Sequence, residues 1–284
     1  MDADRRSNVV KLVEKRFEIP TIPAIATKVA QEIRDPQTSA LRLGRLIAND
    51  QGLTTRILSV ANSPFYGIGR ESSSVQQAVV TLGFQVVQSL VVCFSTRKVY
   101  QSFGGIEKSL WEHSMGAALA ADKIAGMKKL RFRREAFVAG LMHDVGKVVL
   151  NNDDPKTFAK AYQLASEGTE SVDAEHSLFS VSHTDVGMVL TQRWGLSDAL
   201  VQAVFLHHDL DLAETTAEKY IELIYVTYLA DRICHKLGIG VPQANDILLE
   251  DDPALARLGF EPDELQELEE STLKAYEEER ALFA

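Results

Sequence analysis

Apolar residues recur at helical spacing along nearly the whole chain, and almost nothing in it alternates at the period of a β-strand. Ile25, Val29 and Ile33 share one helical face. Leu43 with Ile47, then Leu53, Ile57 and Val60, set out two more helices. Ala78, Val79 and Leu82 lead into Val86, Leu90, Val91 and Phe94. The pattern returns at 110–125, 134–143, 183–194, 198–208 and 220–235, and an acidic helix spans 263–282. A chain patterned this way buries its apolar faces helix against helix, so the expected fold class is all-α.

Punctuation residues divide the helices. Pro20 and Pro23 precede the first strong one, and Ser73 or Ser74 suits the N-cap of the helix that begins near Val75. Gly146 is read as a C-cap that ends the helix carrying His143. The glycines at 104 and 105 mark a boundary. The expected organisation is an N-terminal helical subdomain over 1–104, a second helical subdomain over 105–245, and an acidic helical tail over 246–284. In that tail Leu265, Leu268 and Leu273 alternate with charges, as in an amphipathic helix lying against the body. Trp194 and Leu196 read as core.

A formal charge of −10 argues against direct nucleic-acid binding; Arg131, Arg133 and Arg134 form one short basic stretch. The first sixteen residues are charged throughout, unlike a signal peptide, and no apolar run reaches the roughly 18 residues that a membrane span needs. Cys93 and Cys234 lie in apolar helical stretches and read as buried thiols. A cytoplasmic protein without membrane contact is expected.

The chemistry is concentrated in one series. Five of the seven histidines, with two aspartates, fall in the order His113, His143-Asp144, His183, His207-His208, Asp231. Neutral imidazole and carboxylate are ligands of Fe, Mn and Zn, and these spacings are too long for a zinc finger. The ligands would come from successive helices meeting in one cleft and hold one or two divalent ions. Neighbours on a regular helix diverge by about 100°, so His143 and Asp144 reach one ion only where their helix ends. His176 and His235 fit no position in the series and are read as packed or solvent-facing. Glu175, eight residues before His183, could be a further ligand or an acceptor that orients a histidine. Elsewhere, Phe65, Tyr66 and Ile68 follow Pro64 in a turn, and read either as a packed connection or as an aromatic loop that docks a partner.

Three segments carry a family resemblance: IPTIPAIATKV at 19–29, NDQGLTTRILSVANSPFYG at 49–67 and VQQAVVTLGFQVVQSLVV at 75–92. In that order they resemble the HDOD family, HD-related output domains of bacterial signalling proteins, over roughly residues 15–240. The resemblance implies an N-terminal helical subdomain followed by an HD-like bundle, signalling proteins as partners, and no demonstrated turnover. His113, His143, Asp144 and Asp231 reproduce the H…HD…D order of the HD phosphohydrolase superfamily. With His183, His207 and His208 the series is similar to that of the HD-GYP phosphodiesterases, which hydrolyse cyclic di-GMP. That likeness implies a nucleotide or cyclic dinucleotide as ligand, Asp144 as a bridge between two ions, and Lys147 as a neutraliser of phosphate charge. The chain departs from HD-GYP enzymes after His208, where DLDLAETTAEKY stands in place of Gly-Tyr-Pro.

Overall fold

The computed structural model describes residues 3–17, 23–62, 72–96, 105–241 and 247–279. Among them are seventeen α-helices and no β-strand. The first six are α1 Ala3–Arg16, α2 Ala24–Arg34, α3 Ala40–Ala48, α4 Gln51–Asn62, α5 Val75–Leu82 and α6 Phe84–Thr96. The long α7, Gly105–Met127, is followed by α8 Arg133–Met142, α9 Val145–Asp153, α10 Pro155–Ser166 and α11 Ser171–Phe179. The remaining helices are α12 His183–Arg193, α13 Asp198–Leu206, α14 Leu210–Thr216, α15 Ile221–Leu237, α16 Pro253–Leu258 and α17 Glu264–Glu279. The all-α expectation holds.

Local chemistry sets many of the helix starts. Ser39, Ser74 and Ser197 accept from the backbone N–H three residues on, opening α3, α5 and α13. Ser182 and Asp185 form a reciprocal capping box at the start of α12. Asn62 clasps Ser72 in both directions: its Nδ2 donates to the Ser72 carbonyl, and its Oδ1 accepts from the Ser72 N–H. That clasp closes the segment holding Phe65 and Tyr66, which themselves lie outside the described residues. Gly83, at φ +87°, separates α5 from α6. Those two helices are bent by 117° at the break, and no single described helix is long and apolar enough to cross a membrane.

In the N-terminal half, Val29, Leu43, Ile47, Ile57, Val79 and Leu90 are buried among α2 to α6. In the second half α7 is the central post, buried on nearly every side. Small residues let its neighbours approach: Ala117, Ala118, Ala120 and Ala121 are fully buried, and a Cβ on Gly140 of α8 would lie 2.3 Å from the Ala117 carbonyl oxygen. The buried residues of the two halves form one continuous core. Polar ties reinforce it: Gln88 Nε2 donates to the Gly195 carbonyl at 3.1 Å, Arg193 pairs with Glu14 at 2.7 Å, and Arg16 donates to the Phe179 carbonyl.

Several expectations are refined. Helix α1 is an addition to the expected set: half of its residues are charged, and Val13 and the following Phe17 anchor it. Gly146 is not a C-cap: α9 begins at Val145, and Gly146 is where α9 touches α12. A Cβ there would stand 2.0 Å from the His183 carbonyl oxygen. Arg133 is not part of an open basic stretch, since it grips the buried Asp122 through two hydrogen bonds of 2.8 and 2.7 Å. Along α17, Leu265, Leu268, Thr272 and Ala275 are buried, whereas Leu273 faces outward. Cys93 and Cys234 are buried and form no disulfide; burial pushes the Cys93 thiol up to about 12.

Two glycine substitutions should differ in sign. Gly140→Ala forces α7 and α8 apart and is expected to cost about 1–3 kcal/mol or more. Gly52→Ala, near the exposed start of α4, meets only Asp50 Oδ1 at 3.4 Å; it is expected to be neutral or to stabilise by up to about 1 kcal/mol. Urea titrations followed by circular dichroism compare the two.

Candidate metal centre

The series of histidines and aspartates converges between the helices that surround α7. His113 comes from the middle of α7 and Asp231 from α15. His143 and Asp144 form the junction between α8 and α9, where the backbone leaves helical geometry at Asp144 (φ −98°, ψ 12°). That break lets two adjacent side chains enter one space. His183 is the first residue of α12, while His207 and His208 follow the last turn of α13. His143, His183 and His207 are fully buried, and His113, Asp144 and Asp231 nearly so.

Asp144 lies at the middle of the group. Its Oδ1 is 3.2 Å from His183 Nε2 and 3.9 Å from His207 Nε2. Its Oδ2 is 3.4 Å from His143 Nε2, 3.6 Å from His113 Nε2 and 2.7 Å from Lys147 Nζ. Asp231 Oδ1 lies 2.8 Å from His113 Nε2 and 3.6 Å from His143 Nε2. The two oxygens of one carboxylate therefore face two different sets of imidazoles.

The rings are held by their far nitrogens. His143 Nδ1 donates to the Gly140 carbonyl at 2.7 Å, His207 Nδ1 to the Val204 carbonyl at 2.9 Å, and His113 Nδ1 to the Ile239 carbonyl at 3.2 Å. His183 Nδ1 meets Glu175 Oε2 at 2.7 Å, and the same oxygen accepts the His183 backbone N–H at 2.6 Å. With Nδ1 so committed, each neutral ring turns the lone pair of Nε2 inward, the arrangement that metal-binding histidines use. The Nε2 atoms of His183 and His207 stand 3.4 Å apart. Two facing lone pairs repel unless a proton or a cation lies between them.

Three atoms of the cluster, His143 Nε2, Asp144 Oδ1 and His208 Nε2, are buried without a hydrogen-bond partner. Orphaned buried acceptors are costly and call for an explanation. Donor atoms lie within 4.8 Å of one another in three sets: Asp144, His183, His207, His208; His113, His143, Asp144; and His113, Asp231, His235. The donors fit a divalent transition ion, and Asp144 is shared by two of the sets.

The buried charges act strongly on one another. Burial opposes charge on Asp144, but the imidazoles of His143 and His183 and the Lys147 ammonium hold its carboxyl well below the usual range. Burial likewise opposes charge on Asp231, and His235, His113 and His143 hold it down. Burial would also neutralise His143, yet the carboxylates of Asp144 and Asp231 draw a proton onto it, up to about 10. Burial and the neighbouring imidazoles push His207 down, and burial with His183 takes His208 down to about 3. Burial disfavours the Lys147 ammonium, but Asp144, Glu175 and Asp231 outweigh it and raise the group.

A cleft of about 660 Å3, counting its open mouth, reaches the cluster from one side. His113, Asp144, Lys147, Tyr162, Glu175 and His235 reach it, against an apolar wall that includes Leu110 and Phe158. The structure thus brings together every member of the sequence series and places Lys147 on Asp144. Glu175 takes the role of acceptor to His183. His176 stays outside, its side chain 43% exposed and 3.5 Å from Asp185. His235, which sequence reasoning left out, lies inside, 3.4 Å from Asp231 Oδ1. The signal that could have found it is its position one helical turn after Asp231.

Comparisons with known proteins agree with this architecture. The family model for the HDOD domain matches residues 19–210, a span that stops short of Asp231 and His235. The crystal structure of an HDOD domain protein with unknown function from Geobacter sulfurreducens is similar, with TM-score 0.76 and 28% identity over 99% of each chain. A proposed metal-dependent phosphohydrolase from Shewanella amazonensis SB2B has the same fold, with TM-score 0.69 and 18% identity, covering 99% of this chain and 100% of that one. An uncharacterized protein of Treponema pallidum (strain Nichols) is 26% identical over 224 residues, 78% of this chain and 43% of that protein. The chain therefore spans less than half the length of this curated relative.

Glu175→Gln removes the charge that orients His183 while keeping its size. It is expected to leave the helical fold intact and to weaken divalent-metal binding by about 10–100-fold. Competition with a chromogenic chelator measures the change; unaltered affinity would mean that Glu175 does not support a ligand.

Proposed function

The chain belongs to the HDOD domain family, and on that premise we propose that it is a bacterial signalling output module that has kept a divalent metal centre in its HD-like half. The observation that carries the metal reading is the set of fixed rings: four buried imidazoles have Nδ1 committed elsewhere and Nε2 turned towards Asp144 or Asp231. His183, His207, His208 and Asp144 would hold one ion, and His113, His143, Asp144 and Asp231 a second, with Asp144 bridging. Fe, Mn and Zn all accept this donor set. The ligand is proposed to be a nucleotide or cyclic dinucleotide, whose phosphate would meet Lys147 in the cleft. Signalling proteins are the proposed partners, docking through Phe65 and Tyr66.

A second reading, a metal-dependent phosphohydrolase or phosphodiesterase, is favoured by Lys147 and Asp144, which both border the cleft beside the donor cluster. A bound divalent ion would supply Lewis acidity and a nucleophilic water at neutral pH. The residues present would bind the phosphate through Lys147, beside Asp144. The sequence after His208 speaks for the first reading. In place of Gly-Tyr-Pro, Asp209 caps α14 by accepting from the Leu212 N–H.

Elemental analysis decides the common premise. Protein purified without chelator or affinity metal is expected to carry one or two equivalents of Fe, Mn or Zn, and a His143→Ala, Asp144→Ala double variant none. No metal in either, even after reconstitution with Mn(II) or Fe(II), would sink the hydrolase reading and the metal centre, and leave an interaction module whose histidines only pack. Phosphate-ester or cyclic-dinucleotide hydrolysis that disappears in the double variant would establish the second. Partner binding that survives the double variant but is lost in Phe65→Ala or Tyr66→Ala would establish the first.

A further inference from the structure

Of the imidazoles in the cluster, His235 alone falls outside the order H, HD, H, HH, D. It lies on α15 four residues after Asp231, and such pairs share a helix face. Its Nε2 is 3.4 Å from Asp231 Oδ1, an oxygen that also lies 2.8 Å from His113 Nε2 and 3.6 Å from His143 Nε2. The His113 and His235 rings stand edge to face with centroids 5.0 Å apart. Three imidazole nitrogens thus crowd one buried carboxylate oxygen. His113 and His143 have their Nδ1 hydrogens on the carbonyls of Ile239 and Gly140. In their neutral form, the one that binds a metal, both rings turn Nε2 lone pairs rather than hydrogens towards this oxygen. A cation among these donors removes the conflict.

We infer that His235 is a metal ligand that binds the same divalent ion as His113 and Asp231, from the side that opens to the cleft. The inference rests on the metal-centre reading above. His235 borders the cleft with its side chain 31% exposed, whereas that of His113 is 3% exposed and that of His143 fully buried. A ligand so placed covers the face by which water or an oxyanion would reach the ion. Hydrolytic sites keep such a position for water. In this chain an entering phosphate must displace the His235 ring, so His235 guards the ion as well as helping to hold it.

Co(II) provides the test, because its visible absorption reports coordination number and ligand type. Wild type, His235→Ala, His235→Asn and the control His176→Ala are titrated with Co(II) against a competing chelator. The His235 variants are expected to bind one ion at least about tenfold more weakly and to show shifted visible bands, while His176→Ala matches wild type. Inorganic phosphate should then perturb the bands of the His235 variants at lower concentration than those of wild type. Circular dichroism of the metal-free proteins identifies a variant that has not folded, in which case the other His235 variant decides. Folded His235 variants equal to wild type in affinity and spectrum would overturn the inference and leave the metal-centre reading standing. A folded wild type that takes up no Co(II) would overturn both.

Discussion

A carboxylate buried almost completely organises the second half of this protein. Removing an ion of that kind from water costs several kcal/mol even after relaxation, so Asp144 persists as an anion only because its surroundings are built for it. One oxygen faces the imidazoles of α12 and α13, the other faces those of α7 and the α8–α9 junction, and Lys147 closes at 2.7 Å. Every helix that contributes to this shell must arrive at a fixed depth and angle. The close contacts at Gly140 against Ala117, and at Gly146 against His183, set those depths. Folding these helices and assembling the centre are one physical problem, because Lys147 and His143 are local to Asp144, whereas His113, His183 and His207 arrive only as α7, α12 and α13 dock.

The helical class was legible because half-buried helices advertise one apolar face. Val29 with Ile33, Leu43 with Ile47, and Leu53 with Ile57 and Val60 each mark a face of this kind, and α2, α3 and α4 follow. The same logic loses α9 and α10, which hold Lys147 and Asn151 in buried positions and place Lys156 and Lys160 at the surface. Helix α1 escapes for a different reason: its apolar face is short, Val9, Val10 and Val13 among many charges, and tertiary ties complete its hold, with Arg16 on Phe179 and Glu14 on Arg193. Gly146 was legible as special but not in its role. A glycine that permits close approach and one that ends a helix look alike in one dimension.

The site was legible in its ligands and not in what orients them. Imidazole and carboxylate side chains are rare enough for their order along the chain to carry information. The carbonyls of Gly140, Val204 and Ile239 carry none, because every residue has one. Only the folded chain selects which carbonyl meets which ring. Ile239 shows the extreme case: Gly238 ends α15 in the left-handed region, and Gly240 at φ +65° presses so closely on α7 that a Cβ would stand 2.1 Å from the His113 backbone nitrogen. That turn delivers the carbonyl to His113 Nδ1 across 126 residues of sequence. His235 is not legible in the order of motifs, because the helix places it by periodicity, one turn from Asp231.

Holding a metal and using it make different demands, and the structure separates them. Holding requires several lone pairs fixed in direction and enough negative charge to favour a dication over protons. Asp144, Asp231 and the oriented rings meet that demand from deep inside the bundle. Use requires an approach for substrate and an open position on the ion. The approach exists, since the cleft reaches Asp144 and Lys147 directly. The open position is where this chain differs: His235 lies on the cleft side of the donors, and the strand of sequence after His208 folds at once into α14, with Asp209 occupied as its cap. On the inference above, a ligand that enters the cleft competes with His235 for the ion. Rapid exchange of water and product at the ion would require His235 to leave and return in every cycle.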